Sequence, residues 1–242
     1  MSMTLNYTDS VPLHIQLKQI IQQYIVEGIY EEKIPSERAF IDEYHVSRST
    51  VREAINLLVR EGIVEKRHGK GTYITLKPID DWLGNLSSTS ETIERMGMKP
   101  GAKLIHSEIV QLNERMQRIT GLKEAYHFIR VRYADRTPIG VEYHYYPTDI
   151  GRKLSTYDLN EVTLYDVIEL ELGIKMFEAD QVIRSGMVPE EVAKLLDISD
   201  RTCILITERK LTDVNEEFVE LEQAFYRSDM YAFKIKSSRN RS

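Results

Sequence analysis

Val46-Ser47-Arg48-Ser49-Thr50-Val51-Arg52-Glu53-Ala54-Ile55-Asn56-Leu57-Leu58 decides how the first third of the chain is read. Val51, Ile55 and Leu58 recur at helical spacing, while Arg48, Ser49, Arg52 and Asn56 fall on the opposite side of the same helix. Ser47 stands where a side-chain oxygen accepts a free first-turn amide. A DNA major groove, about 12 Å wide, admits one helix with an apolar side to pack and a small or basic side to read with. Arg48 and Arg52 carry the fork that meets a guanine O6/N7 pair, and Ser47, Ser49 and Thr50 carry hydroxyls suited to phosphates. A solvated helix face that happens to bear arginine is the other reading, and the neighbouring segments decide between them.

Upstream, Leu13, Leu17, Ile20, Ile21, Tyr24 and Ile25 predict a first helix over Leu13 to Glu27, stopped by Gly28. Ser36 predicts the cap of a short second helix with Arg38 near its start. Downstream, Gly62 ends the third helix, and Ile63 to Arg67 and Thr72 to Thr75 predict two strands around His68-Gly69-Lys70-Gly71. This is a wing. Its glycines let backbone approach a duplex, while Lys66, Arg67, His68 and Lys70 neutralise phosphates. An even net charge of -6 would repel nucleic acid, but His45 to Lys77 holds seven Lys/Arg against three Glu. The expected partner is double-stranded DNA.

Beyond Lys77 the composition changes. Pro78, Gly84 and the run Ser87-Ser88-Thr89-Ser90 predict a linker over 78–85, dividing a DNA-binding domain (1–77) from a second domain (86–242). Leu104–Leu112, Tyr126–Ala134, Ile139–Tyr146, Ala179–Met187, Cys203–Thr212 and Phe218–Tyr226 predict strands, with helices at Leu164–Leu172 and Pro189–Leu196. The order strand, short helix, strand occurs at 104–134 and again at 179–212, which suggests an internally duplicated α+β domain. Cys203, the lone cysteine, opens the apolar run Cys203-Ile204-Leu205-Ile206 and is read as an inert core thiol. No cofactor, no metal ligand set and no catalytic residue is expected, since no HExxH, glycine-rich phosphate loop or nucleophile elbow is present. His144, in Tyr143-His144-Tyr145-Tyr146, is expected to be structural or hydrogen-bonding. With no membrane-length apolar run and no secretory leader visible, the expected location is cytoplasmic and no membrane partner is expected.

Arg130 and Arg132 alternate onto one side of a strand, a paired guanidinium grip for a phosphate or carboxylate. Surface ion pairs with the abundant carboxylates are the alternative. Ser88 and Ser90 ahead of one helical segment, and Thr163 ahead of another, offer hydroxyl and amide donors to an anion.

The runs Ile34-Pro35-Ser36-Glu37-Arg38, Val46 to Ala54, Leu57-Leu58-Val59-Arg60-Glu61-Gly62 and Gly69-Lys70-Gly71-Thr72-Tyr73 together resemble the DNA-binding domain of GntR-family regulators across residues 10–76. The resemblance implies DNA contacts at Arg38, Arg48 and Arg52 and a wing glycine, Gly69, in the minor groove. The loop between Gly28 and Pro35 is shorter than the family's usual one. From about Leu83 to Phe233 the chain is similar to the UTRA ligand-binding domain of the HutC subfamily, whose fold resembles chorismate lyase. The residues that carry this are Arg95 to Gly101, Arg130-Val131-Arg132, Pro138 to Glu142, Tyr165 to Glu169 and Tyr226 to Tyr231.

That similarity implies an α+β fold: a winged helix-turn-helix joined to a chorismate-lyase-like domain with an antiparallel sheet. It puts Glu142, Glu220 and Tyr226 where sugar-phosphate sensors bind ligand hydroxyls or amines, and Tyr165 lies in a matching run. Thr89 and Leu221 depart from the pattern, both standing where an aromatic residue is common. The function implied is a homodimeric, ligand-responsive repressor on a palindromic operator, controlled by a small anionic effector such as a sugar phosphate. A lyase-like enzyme with an accessory DNA-binding module and a ligand-independent architectural DNA binder are the alternatives. The first lacks an acid–base pair at defensible spacing, and the paired arginines speak against the second.

Overall fold

The computed structural model describes residues 4–26, 28–75, 79–84 and 86–237. Glu27, Lys77, Pro78 and Asn85, which the sequence reading uses for a helix end, a cation and the ends of the linker, lie outside the described residues. The chain forms two compact units, Met1–Pro78 and Ile79–Ser242.

In the first unit the order is α1 (Leu13–Val26), α2 (Glu37–Tyr44), α3 (Arg48–Arg60), β1 (Val64–Arg67) and β2 (Gly71–Ile74). Leu17, Ile21, Phe40, Val51, Ala54, Ile55 and Leu58 are buried together, so the apolar stripe of α3 faces inward and its basic stripe faces out. Ser36 Oγ accepts the Ala39 amide at 3.2 Å and Ser47 Oγ accepts that of Thr50 at 3.1 Å, the two expected caps. β1 and β2 pair antiparallel from Val64↔Ile74 to Arg67↔Gly71. The tip between them turns through Gly69 (φ 70°) and Gly71 (φ 112°), conformations that residues with a Cβ rarely adopt.

The second unit begins with β3 (Ile79–Trp82), a strand where the sequence reading expects a linker. It pairs in parallel with β10 (Tyr231–Lys234). Then follow α4 (Thr89–Arg95), β4 (Pro100–Gln111), α5 (Glu114–Thr120), β5 (Glu124–Ala134), β6 (Thr137–Tyr146), α6 (Thr148–Leu154) and α7 (Leu164–Asp166). α7 winds into a π-helical turn at Val167–Glu171. The helix expected over Leu164–Leu172 is therefore mostly π-wound. β7 (Met176–Met187), α8 (Glu190–Leu196), β8 (Cys203–Asp213) and β9 (Phe218–Arg227) complete an antiparallel sheet of order β4-β5-β6-β9-β8-β7.

This order reads the same from both ends, which gives the suspected duplication a geometric form. Strands β6 and β9 meet at the centre, with Tyr143 opposite Gln223. Exchanging the halves about that pair carries Glu142 onto Glu222. Since Arg130 lies opposite Glu142 and Arg209 opposite Glu222, it also carries Arg130 onto Arg209. One face packs Val131, Val141 and Ile204 against Val192 and Leu196 of α8, and Ala125 and Leu221 against Met116 of α5. On the other face Phe128, Tyr146 and Leu211 pack with Ile150, Leu154, Leu164 and Ile168.

Cys203 is exposed, which corrects the expectation of a core thiol. It is the first residue of β8, and burial begins only at Ile204.

Candidate functional site

Ser47, Arg48, Ser49 and Arg52 are all exposed at the start of α3, with Thr50 half-buried. Lys66, Arg67, His68, Gly69 and Lys70 are exposed on the wing, and the Arg38 side chain is 92% exposed on α2. Every cation assigned to DNA is therefore exposed on the first unit. Lys66 Nζ donates to Asn56 Oδ1 at 2.8 Å, tying the wing to α3. Arg67 pairs with Glu65 at 2.6 Å and lies 4.3 Å over the Tyr73 ring, so its guanidinium is held along the wing. Arg48 and Arg38 sit 3.7 and 3.9 Å from Glu37 and Asp42, exposed pairs that cost little to open. The Ser36 hydroxyl is engaged in its own helix cap.

Arg130 and Arg132 are 2% and 3% exposed, which overturns surface pairing as their role. They stand on β5, on the face opposite α5 and α8, at the wall of an open cavity of about 530 Å3. Ser90, Lys99, Arg136 and Thr163 line it too, along with Glu94, Asp135 and Glu161. Arg132 Nη2 donates to Ser90 Oγ at 2.6 Å, and Arg130 Nη2 to the Val162 carbonyl at 3.1 Å. The Nε atoms of Arg130, Arg132 and Arg209 find no hydrogen-bond partner among the described residues, and that of Arg132 lies 3.6 Å from a Glu142 carboxylate oxygen. A buried donor without an acceptor is costly, and an anion would relieve it.

Behind the two arginines a void of about 20 Å3 is lined by Thr89, Glu142, His144, Tyr165, Arg209 and Glu222, and shares Ser90, Arg130, Arg132 and Thr163 with the outer cavity. Glu142 accepts from Thr89 at 2.6 Å and from Tyr226 at 2.9 Å. His144 bridges Glu142 at 3.2 Å and Glu220 at 2.8 Å, and Glu220 also takes the Tyr146 hydroxyl. Arg209 reaches Glu222 at 3.1 Å and lies over Tyr165. Tyr226 stacks on Tyr231, whose hydroxyl donates to Asp81 of β3.

The electrostatics follow from this packing. Burial opposes charge on His144, but its hydrogen bonds to Glu142 and Glu220 outweigh it and raise its pKa to about 9. Burial likewise opposes the Glu142 and Glu220 charges; Arg132 and His144 hold the first below the usual carboxylate range, and His144 the second. Glu222 is pushed up to about 7, chiefly by burial. Burial, then Arg132, brings Arg130 down to about 10, which leaves it charged at neutral pH. Glu142, His144 and Glu222 place ligating atoms within 4.8 Å of one another. Arg132 stands against Glu142 and Arg209 against Glu222, so the cluster has its own cations and is read as an ion-pair net.

Every effector residue expected from the sequence lies on this side of the sheet, but their roles differ. Ser90, Arg130, Arg132 and Thr163 face the open cavity, whereas Glu142 and Tyr165 line the inner void. Glu220 and Tyr226 are joined to it by hydrogen bonds. Ser88 is turned into a capping box with Glu91, its Oγ accepting the Glu91 amide at 3.1 Å. Thr163 makes no side-chain cap on the short α7. Sequence reasoning missed Thr89, Arg209 and Glu222 as parts of the site, and His144 as its hub. The duplicated strand order was the available signal for Arg209 and Glu222, since they occupy the places of Arg130 and Glu142 in the other half.

Residues 13–74 match the gntR family of bacterial regulatory proteins, and residues 95–232 match the UTRA domain. The HTH-type transcriptional repressor NagR of Bacillus subtilis is 27% identical over 236 residues, 96% of this chain and 97% of that protein. The mannosyl-D-glycerate transport/metabolism system repressor MngR of Escherichia coli is also 27% identical over 236 residues, covering 96% and 98%. The crystal structure of PhnF from Mycobacterium smegmatis superposes with a TM-score of 0.65 at 23% identity, over 95% of this chain and all of that one, a likeness of fold. These relatives are named as regulators and not as enzymes. Among the described residues no helix is long and apolar enough to cross a membrane.

Proposed function

The chain belongs to the bacterial regulators that join a GntR-family DNA-binding segment to a UTRA effector domain, and from that premise we propose that it is a homodimeric repressor controlled by a sugar phosphate. One observation carries the ligand class. Two buried guanidinium groups stand side by side at an open cavity with unpartnered donors, a setting that favours a multiply charged oxyanion. Carboxylates and tyrosine behind them suit hydroxyl groups. The E. coli relatives named for mannosyl-D-glycerate and fructoselysine systems agree with a sugar-derived effector.

In this reading Arg130, Arg132 and Ser90 take the anion, with Ser88 and Thr163 as neighbouring donors, while Glu142, Tyr165, Glu220 and Tyr226 address the organic part. Thr89, His144, Arg209 and Glu222 join the second group. Arg48 and Arg52 read bases, Ser36, Arg38, Ser47, Ser49, Thr50 and the wing residues Lys66, Arg67, His68 and Lys70 hold the backbone, and Gly69 enters the minor groove. Two copies set their α3 helices in half-sites about one DNA turn apart, so the operator is palindromic. A chromosomal operator places the protein in the cytoplasm. The effector acts by favouring one arrangement of the two units over another, since equal affinity for both would shift nothing.

Thermal shift over a panel of sugar phosphates and their unphosphorylated sugars tests this. A true effector at 100 times its Kd adds about 2.7 kcal/mol of stability and changes operator affinity by roughly 5- to 150-fold. Equal stabilisation by the neutral sugars would remove the phosphate from the proposal.

A further inference from the structure

The two spaces beside Arg130 and Arg132 differ in what they can hold. The outer cavity, at about 530 Å3, has the size of a ligand pocket. The inner void, at about 20 Å3, has room for about one water. Yet Glu142, Tyr165 and the Tyr226 hydroxyl, the groups suited to the organic part of an effector, lie in it or beyond it. A molecule seated in the outer cavity reaches them only if a wall of the void moves. Most of that wall is sheet, since Arg130, Arg132, Glu142, His144, Arg209 and Glu222 stand on strands that are paired on both sides. Leu164 and Tyr165 are packed into the core cluster beneath α7. The remaining piece, Ser88-Thr89-Ser90, opens the seven-residue α4 and is tied to the sheet by side chains. Ser90 Oγ takes Arg132 at 2.6 Å, and the Ser87 carbonyl takes Arg209 at 3.5 Å.

Thr89 makes the contacts that an effector hydroxyl would make. Its side chain is a secondary alcohol, as a sugar ring hydroxyl is. The Thr89 hydroxyl donates to Glu142 at 2.6 Å and lies 3.2 Å from that of Tyr226, which donates to the same carboxylate oxygen at 2.9 Å. An ionised carboxylate only accepts, so Glu142 needs such donors with or without a ligand. We propose that Thr89 occupies the effector's hydroxyl subsite from within the chain, and that an effector enters by exchanging a hydroxyl of its own for that of Thr89. The exchange does not strand Glu142, because Tyr226 stays on one of its oxygens and His144 on the other. This inference rests on the sugar-phosphate reading and deepens it. An anion alone meets Arg130 and Arg132 and leaves Thr89 in place, whereas a phosphate carrying an alcohol at the right reach displaces it and frees the start of α4. Thr89 thereby lowers the affinity for the effector and sets its specificity.

Isothermal titration calorimetry of the full-length protein, with inorganic phosphate and with a series of hexose monophosphates, reads this as selectivity. Thr89→Val keeps the shape of the side chain and removes its hydroxyl, so the incoming alcohol has no competitor at Glu142. The preference for the best-bound hexose monophosphate over inorganic phosphate then rises about tenfold, as expected for a hydrogen bond to a charged group. Thr89→Ala gives the same rise with less to pack, and Thr89→Ser, which keeps a hydroxyl, stays within about threefold of the parent. A preference that falls in the Val and Ala variants makes Thr89 a direct effector contact. One that stays level, or that moves equally in the Ser variant, makes it a structural residue. Each of these overturns the proposal and leaves the sugar-phosphate reading standing. A parent that binds no hexose monophosphate more tightly than inorganic phosphate overturns both.

Discussion

The arginines of α3 and those of the central sheet are the same residue used under opposite conditions. Arg48 and Arg52 stand in water, on a helix whose position is set by apolar neighbours three and four residues away, and they are free to leave Glu37 or solvent for a phosphate or a base. Arg130, Arg132 and Arg209 are buried, and each needs partners from distant segments: Val162, Ser90 and Glu142, and Glu222. Replacing an exposed arginine should therefore change binding and spare the fold. Replacing a buried one should change both, because its removal strands a carboxylate.

The largest contrast is expected from Arg132→Ala, which leaves Glu142 buried without its guanidinium and lowers folding stability by roughly 3–5 kcal/mol in denaturant titration. A loss below 1 kcal/mol would show that water or His144 replaces the arginine, and the two classes would then differ only in place.

Next comes pH. His144 ordinarily titrates near 6.5 and here near 9, so its stabilising protonation is complete below the first value and lost as pH rises through the second. Glu222, raised from 4.5 to about 7, acts in the same direction over a lower range. Glu142 and Glu220, held down, lose their contribution only in acid. The melting temperature of the full chain should thus fall from pH 6 to 9, by an amount equivalent to about 3 kcal/mol from the imidazole. His144→Gln should flatten that slope; a parent whose stability is level across this range would contradict the charged bridge.

Smaller still, Arg52→Ala should cost about 1–3 kcal/mol at a selected operator, leave stability within about 0.5 kcal/mol of the parent and leave effector binding unchanged. Unaltered operator affinity at fixed salt would take Arg52 off the reading surface. Ser47→Ala, which removes the α3 cap, should lower stability by about 1 kcal/mol in chemical denaturation.

The first unit was legible because its information is local. Ser36 and Ser47 precede the helices they cap, the periodicity from Leu13 to Leu58 marks the packed faces, and Gly69 and Gly71 mark the wing turn. In the second unit the strands were legible, but burial was not. Cys203 was misplaced because an apolar run does not tell which residue begins the covered part of a strand. The Ile79–Trp82 strand was hidden since its partner, Tyr231–Lys234, lies at the far end of the chain. Nothing next to Arg209 and Glu222 marks them in the sequence, where the repeated strand order is their one signal; the pairing of β6 with β9 brings them to the void they share with Arg130 and Glu142.

By itself the sequence determined that this chain carries a winged helix with an outward basic face and a strand-rich second domain, because helix periodicity, caps and turn glycines act over a few residues. Tertiary structure decided which charges are buried and with whom, through strand pairings such as Glu142↔Ala224 that join residues far apart in the chain. The desolvation that shifts His144 and Glu222 exists only once those strands have closed over them.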